Sequence, residues 1–193
     1  MSIKKRHCFR SRFYRSVLAF LVVCSLHGPS YAQTNGAAPS LGEFPVVSAT
    51  NLDKARFELP KDFGGEINLA MVYFAREQQR DVDTWLPKAK QLEATHAGLR
   101  FYELPTTARE NLVYRWWFNS ALRSYTADTA LDGRILTLYV SKGKFRKALN
   151  IQNEKQIVTV LVDRSGRVLW RANGAYDETK GQSLDKALRA IGR

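Results

Sequence analysis

Apolar residues in the middle of this chain follow two rhythms. Ile67 to Ala75 (INLAMVYFA) is a nearly unbroken apolar run, the pattern of a strand covered on both faces of a sheet. Val82, Trp85, Leu86, Ala89 and Leu92 then recur at spacings of three and four, which predicts a helix over Val82 to His96 with one apolar face. Pro87 falls inside it, predicting either a kink there or a helix whose first turn starts near Leu86. Leu99 to Leu104 predicts a second strand. Thr106 to Tyr125 predicts a helix, with Thr107 and Glu110 spaced as a capping box. After the Asp132-Gly133 turn, Arg134 to Val140 reads as a third strand and Gly143 to Ile151 as a short amphipathic helix. Ile157 to Val162 and Val168 to Trp170, joined by Asp163-Arg164-Ser165-Gly166, predict a hairpin, and Ser183 to Ile191 a closing helix. Ahead of all this, Glu43 to Gly65 mixes short apolar runs with Pro45, Pro60 and Gly64-Gly65, as a short hairpin with turns does. Strands separated by helices imply parallel crossovers, and the terminal hairpin adds an antiparallel strand. The expected fold is α/β, a three-layer α/β/α sandwich with a mixed sheet.

The N-terminus follows different rules. Lys4, Lys5, Arg6, Arg10, Arg12 and Arg15 stand in an acid-free region, and Val17 to Leu26 is apolar except for Ser25. Ser30-Tyr31-Ala32 then offers small residues at the −3 and −1 positions. This is the pattern of a secretory signal peptide over residues 1–32, with cleavage after Ala32 and export to the periplasm or exterior. The apolar run is shorter than the ~20 residues a membrane span needs, so no integral membrane segment is expected after cleavage. Residues 33–56 are expected to form a flexible leader (QTNGAAPSLG) and a short N-terminal strand region, and residues 57–193 the folded domain.

Export changes the charge and the chemistry. The full chain carries 30 Lys and Arg against 18 Asp and Glu, +12. Losing the six leader bases leaves 24 against 18, +6, which weakens any case for nucleic acid and suits solubility or loose attraction to an anionic surface. Cys8 and Cys24 leave as well, and His96 becomes the one remaining histidine. Such a mature chain has no disulfide, no thiolate nucleophile and no thiolate metal ligand.

The element order, the VLVDRSGRVLW hairpin (Val160 to Trp170) and the FRKALNI helix (Phe145 to Ile151) resemble the thioredoxin-like superfamily, in its redoxin/peroxiredoxin-type branch. The resemblance covers about Phe57 to Ile191. It implies that a Cys-x-x-Cys pair would follow the strand end at Phe74-Ala75, near Gln78 and Asp81. The proline that usually precedes the penultimate strand would fall near Ile157. Neither is present here, so thiol–disulfide exchange and single-cysteine peroxidase chemistry are not expected. A narrower resemblance, through Ile135 to Val140, Phe145, Leu149, VTVLVDRSGRVLW and Gly174, is to the assembly-factor-ten family of the mitochondrial ATP synthase. It implies a non-enzymatic, chaperone-like role toward a membrane-associated partner, and no catalytic residue.

Other groupings are weighed against plainer roles. Glu77, Asp81 and Asp83 near a helix N-terminus could form an acid/base or cation site, but acids there also simply complement the helix dipole. Glu103, Glu110 and His96 lack metal-ligand spacing, and no Gly-rich phosphate loop or nucleophile elbow appears. Trp116 and Trp117 project about 100° apart on a helix, so one narrow buried face does not hide both. The sequence thus points to an exported, redox-inactive thioredoxin-like protein that binds a protein partner or assists assembly, with no cofactor, metal or nucleic acid. Its candidate contact residues are Glu77, Gln78, Arg80, Asp81, Trp85, Trp116 and Trp117. The alternatives are an enzyme with a non-thiol site around Glu77, Arg80 and Asp81, and a peripheral membrane-binding protein using basic and Trp side chains.

Overall fold

The computed structural model describes residues 41–108 and 133–192. These contain a seven-stranded mixed sheet built from β1 (Val47–Thr50), β2 (Arg56–Leu59), β3 (Ile67–Tyr73), β4 (Leu99–Ala108), β5 (Thr137–Val140), β6 (Val158–Asp163) and β7 (Val168–Asn173). The spatial order is β2-β1-β5-β4-β3-β6-β7. β3, β4 and β5 run parallel, and the flanking hairpins β1–β2 and β6–β7 are antiparallel to their neighbours. Helices α1 (Gln79–Thr95), α2 (Lys142–Ala148) and α3 (Glu178–Ile191) complete the described fold.

The apolar run in β3 is explained by burial on both sides. Leu69, Met71 and Tyr73 face a cluster with Val82, Trp85, Ala89 and Leu92 of α1 and Leu184 and Leu188 of α3. Ala70, Val72 and Phe74 face the opposite cluster with Phe44, Phe63, Phe145 and Leu149. A strand between two apolar layers needs no polar alternation. The residue-57 boundary expected for the folded domain falls within β2, and β1 is hydrogen-bonded into the same sheet through Ala49↔Leu138 and Thr50↔Thr137.

Two expected elements take different forms. α1 begins at Gln79, well before Pro87, and runs through it, so the alternative of a helix starting near Leu86 does not hold. Pro87 is on the exposed side of α1, where the carbonyl that loses its donor can turn to water. The helix expected from Thr106 does not begin there. Thr106, Thr107 and Ala108 continue β4 and pair with Leu138, Tyr139 and Val140 of β5, so Thr107 is a buried ladder residue rather than a helix cap. Parallel pairing and burial outweigh the local Thr/Glu capping signal; residues 109–125 of that expected helix lie outside the described residues. Within β4, Glu103 N–H donates to the Arg134 carbonyl and Leu136 N–H to the Glu103 carbonyl, both at 2.9 Å. The next parallel rung needs an N–H from residue 105, and Pro105 has none.

The β6–β7 hairpin forms as its sequence predicts. Asp163 Oδ1 accepts from the Ser165 and Arg167 N–H groups at 2.9 and 3.0 Å, and Gly166 supplies the positive φ of 95° that the turn requires. α3 starts earlier than expected because Asp177 caps it, accepting from Lys180 N–H at 2.9 Å.

Replacing Pro87 with Ala restores an N–H on a solvent-facing turn of a continuous helix. Urea denaturation of P87A should show stability raised by about 1–3 kcal/mol. A loss of stability would show that the ring has a packing role its exposed position does not reveal.

Candidate functional site

β3 lies near the middle of the sheet, and its last residues leave both neighbouring ladders together. Pairing ends at Val72 toward β6 and at Tyr73 toward β4. The backbone N–H groups of Phe74 and Ala75 therefore need partners outside the sheet. A single 3-10 turn, Arg76–Gln78, follows and leads into α1. Gln78 folds back beneath that turn. Its Oε1 accepts from Phe74 N–H at 2.8 Å and Ala75 N–H at 3.2 Å, while Nε2 donates to the Glu154 carbonyl at 2.7 Å. Only 8% of the residue is exposed. One buried carboxamide thus joins the end of β3 to the loop leading into β6.

That loop is held from its other side as well. Glu154 Oε2 pairs with Lys142 Nζ at 2.7 Å, and its Oε1 meets Arg146 Nη1 at 3.4 Å. Lys142 Nζ also stands 5.6 Å from the centre of the Phe74 ring, within cation–π range. The β3 end, α2 and the residue 152–157 loop form one polar network. Gln78, near which the resemblance places the first residue of the Cys-x-x-Cys pair, is thus committed to backbone contacts, while Asp81, near the second, is half-buried on the α1 rim. Ile157, near which it places the proline, is fully buried.

The next residue, the half-buried Gln79, reaches a second buried polar group, Glu103. Gln79 Nε2 donates to Asp83 Oδ1 at 3.1 Å and to Glu103 Oε2 at 3.0 Å. Glu103 is 2% exposed on the α1 side of β4. Burial pushes its carboxyl pKa above the ordinary 4.5; the Gln79 hydrogen bond opposes this, the Asp83 charge reinforces it and Lys90 opposes it. Weighing Glu103 for metal-ligand spacing alone misses this role. The available signal was an acid in FYELP, where strand alternation places it on the same face as Phe101.

The expected contact residues separate into two groups. Glu77 and Arg80 are exposed and Asp81 is half-buried, forming a charged rim around the first turn of α1. Gln78 and Trp85 are interior. Trp85 is fully buried: its Nε1 donates to the Gly174 carbonyl at 3.1 Å, and its ring meets Trp170 and Tyr176 edge-on at 6.0 and 5.2 Å. The helical spacing that placed Trp85 on the apolar face of α1 is the correct guide, and its place among surface candidates is corrected. Trp116 and Trp117 lie outside the described residues. His96 closes α1, with Nδ1 3.1 Å from the Leu92 carbonyl.

A cavity of about 480 Å³ opens beyond the C-terminal end of β5, between Pro45–Ser48 and the start of α2, with Val140, Lys144 and Phe145 in its wall. Its lining includes none of the expected contact residues. Among the described residues, no group of three His, Cys, Asp or Glu side chains is placed to hold a metal ion. No helix among them is long and apolar enough to cross a membrane.

No protein-family model matches this chain, and no curated protein does either. Solved structures do. A putative thiol:disulfide interchange protein DsbE from Chlorobium tepidum aligns at 13% identity and TM-score 0.53, covering 80% of this chain and 98% of its own. A putative electron transport protein from Aquifex aeolicus aligns at 13% and 0.57, covering 78% and 96%. BsSco, of the Sco family of cytochrome c oxidase assembly proteins, aligns at 17% and 0.53, covering 78% and 95%. The fold is thioredoxin-like.

Two stability measurements check the site. Gln78→Ala removes the acceptor from two N–H groups at the sheet's end and should cost about 3 kcal/mol in urea denaturation, where a surface Gln would cost almost nothing. For Glu103, the folded state holds its proton more tightly than the unfolded chain. Its contribution is therefore fully present at low pH. Stability falls as pH rises from the ordinary 4.5 through the raised folded pKa. Glu103→Gln should flatten that part of the pH profile and be the more stable protein above it; an unchanged profile would show that Glu103 is ionised in the fold at no cost.

Proposed function

We propose that this chain is an exported, redox-inactive thioredoxin-like protein that binds a protein partner, in a chaperone-like or assembly role. The observation that carries the reading is the Gln78 carboxamide. It stands where the fold places its reactive sulfur, and its oxygen and nitrogen are both committed to backbone partners. A side chain so used serves to hold the scaffold together. The chain after Cys24 contains no cysteine, so nothing downstream of the leader can carry a thiol reaction.

Export rests on the leader's sequence: a basic, acid-free start, an apolar run and Ser30-Tyr31-Ala32. The assembly role draws support from BsSco, whose family is described by assembly work on the same fold, although a shared fold does not by itself carry a shared function. The partner surface is the charged rim of Glu77, Arg80 and Asp81; Trp116 and Trp117, outside the described residues, are candidates on sequence grounds alone. Glu77 and Arg80 are exposed, Asp81 is half-buried, and the rim carries both signs, which suits docking.

The mature chain should reduce neither insulin disulfides nor peroxide. Chemical crosslinking in the extracytoplasmic fraction should join it to a discrete partner. Reversing the rim charges together (E77R, R80E, D81R) should reduce that crosslink at least tenfold and strengthen its salt sensitivity. Thiol turnover, or a crosslink indifferent to the reversal, would contradict the reading.

A further inference from the structure

β7 is an outer strand of the sheet, bordered on one side by β6. The hydrogen bond from Gly174 N–H to the Ile157 carbonyl, 2.8 Å, sets the alternation of this antiparallel pair. With Thr159 opposite Ala172 and Val160 opposite Arg171, residues 172 and 174 bond inward to β6. The backbone N–H and C=O of Arg171 and Asn173 therefore point outward. At the other end of β7 the edge is covered: Glu43 bridges Arg167, and Phe44 N–H donates to the Gly166 carbonyl at 2.7 Å. Past that point, no strand among the described residues pairs with the outer side of β7.

A small cavity of about 60 Å³ lies beside this open stretch, between β7 and the loop at residues 150–156. Its polar wall is Asn150, Gln152, Asn153, Gln156, Asn173 and Arg171. Arg171 Nη1 donates to the Leu149 and Asn150 carbonyls at 2.7 and 3.4 Å, which fixes the guanidinium plane. Its Nε and Nη2 have no partner among the described residues, and the side chains of Gln152, Gln156 and Asn173 have none either. Partial burial lowers the Arg171 pKa, the cost of holding a cation there without a counter-charge. No acid lines the cavity.

We infer that the open edge of β7 is a docking site for an extended acidic segment of a protein partner, which adds as an eighth strand and seats one carboxylate against Arg171. The inference rests on the partner-binding reading and gives that partner a chemistry. An added strand gains affinity from the outward backbone groups and selectivity from the pocket under every second side chain. The volume suits a carboxylate or carboxamide better than an aromatic ring, for which a cavity of about 150 Å³ is known to serve. A fixed guanidinium with donors to spare favours the carboxylate. A second copy of this chain is a poorer occupant, because pairing about the same residues brings two Arg171 cations onto one face. The chain's own leader (QTNGAAPSLG) has no acid to offer. Charged residues on edge strands also serve simply to repel other strands, and the test separates that role.

The probe is a fluorescein-labelled ten-residue peptide of alternating Thr and Val with a central Glu, titrated against the full mature chain by anisotropy. The Glu peptide should bind. Replacing its Glu with Gln, or N-methylating the two amides facing β7, should weaken binding at least tenfold, as should Arg171→Gln in the protein. The N-methylated peptide keeps the test intact even if R171Q folds poorly. Absence of binding would overturn the inference and leave Arg171 as a guard of the edge. Concentration-dependent dimers that R171Q strengthens would overturn it in favour of a second copy. If the crosslinked partner is captured equally by R171Q and wild-type protein, the edge site falls while the accessory role stands; if no partner is captured at all, the accessory role falls with it.

Discussion

The end of β3 is the point on which this molecule's architecture turns. A central strand that leaves both its neighbours at nearly the same residue strands two backbone N–H groups in a buried place, Phe74 and Ala75. Gln78 resolves this by folding its carboxamide back over the turn, and the same group reaches across to the Glu154 carbonyl. The start of α1 and the loop before β6 are fixed relative to each other by one side chain. Lys142 and Arg146 of α2 extend that hold through Glu154. The end of β3 is thereby held by structural contacts on both sides.

The second turn of α1 is anchored by aromatic packing. Trp85 lies between Trp170 of β7 and Tyr176, and its N–H reaches Gly174, whose positive φ of 77° turns the chain toward α3. Lys88 and Asp185 join α1 to α3 at 2.8 Å, both largely covered. With the two helices locked on one face, the charged first turn of α1 and the outer edge of β7 are left uncovered among the described residues. These contacts give both surfaces a rigid support.

Much of this was legible in the sequence, because periodicity reports burial directly. The unbroken β3 run announced a strand covered on both faces, and DRSG between two β-rich runs announced the hairpin. Three-and-four spacing placed Trp85 with Val82, Ala89 and Leu92, and should have outweighed its nomination as a contact residue. The extent of β4 was not legible: Thr107 and Glu110 carry a sound local cap signal, and only pairing with β5, distant in sequence, overrides it. Nor was Gln78. A glutamine in a polar stretch looks solvated, and a side chain bonding back to N–H groups three and four residues earlier leaves no periodic trace. Glu103 fails for a related reason, since its burial depends on α1 lying over β4.

Native-state hydrogen exchange at the Phe74 and Ala75 amides tests the central claim most directly. If the Gln78 carboxamide holds the end of β3 closed, both amides should exchange only as slowly as Leu69 in the middle of the strand, through the opening of the whole sheet. Exchange at the rate of a surface loop would show that the β3 end is open and that Gln78 is not a structural lock.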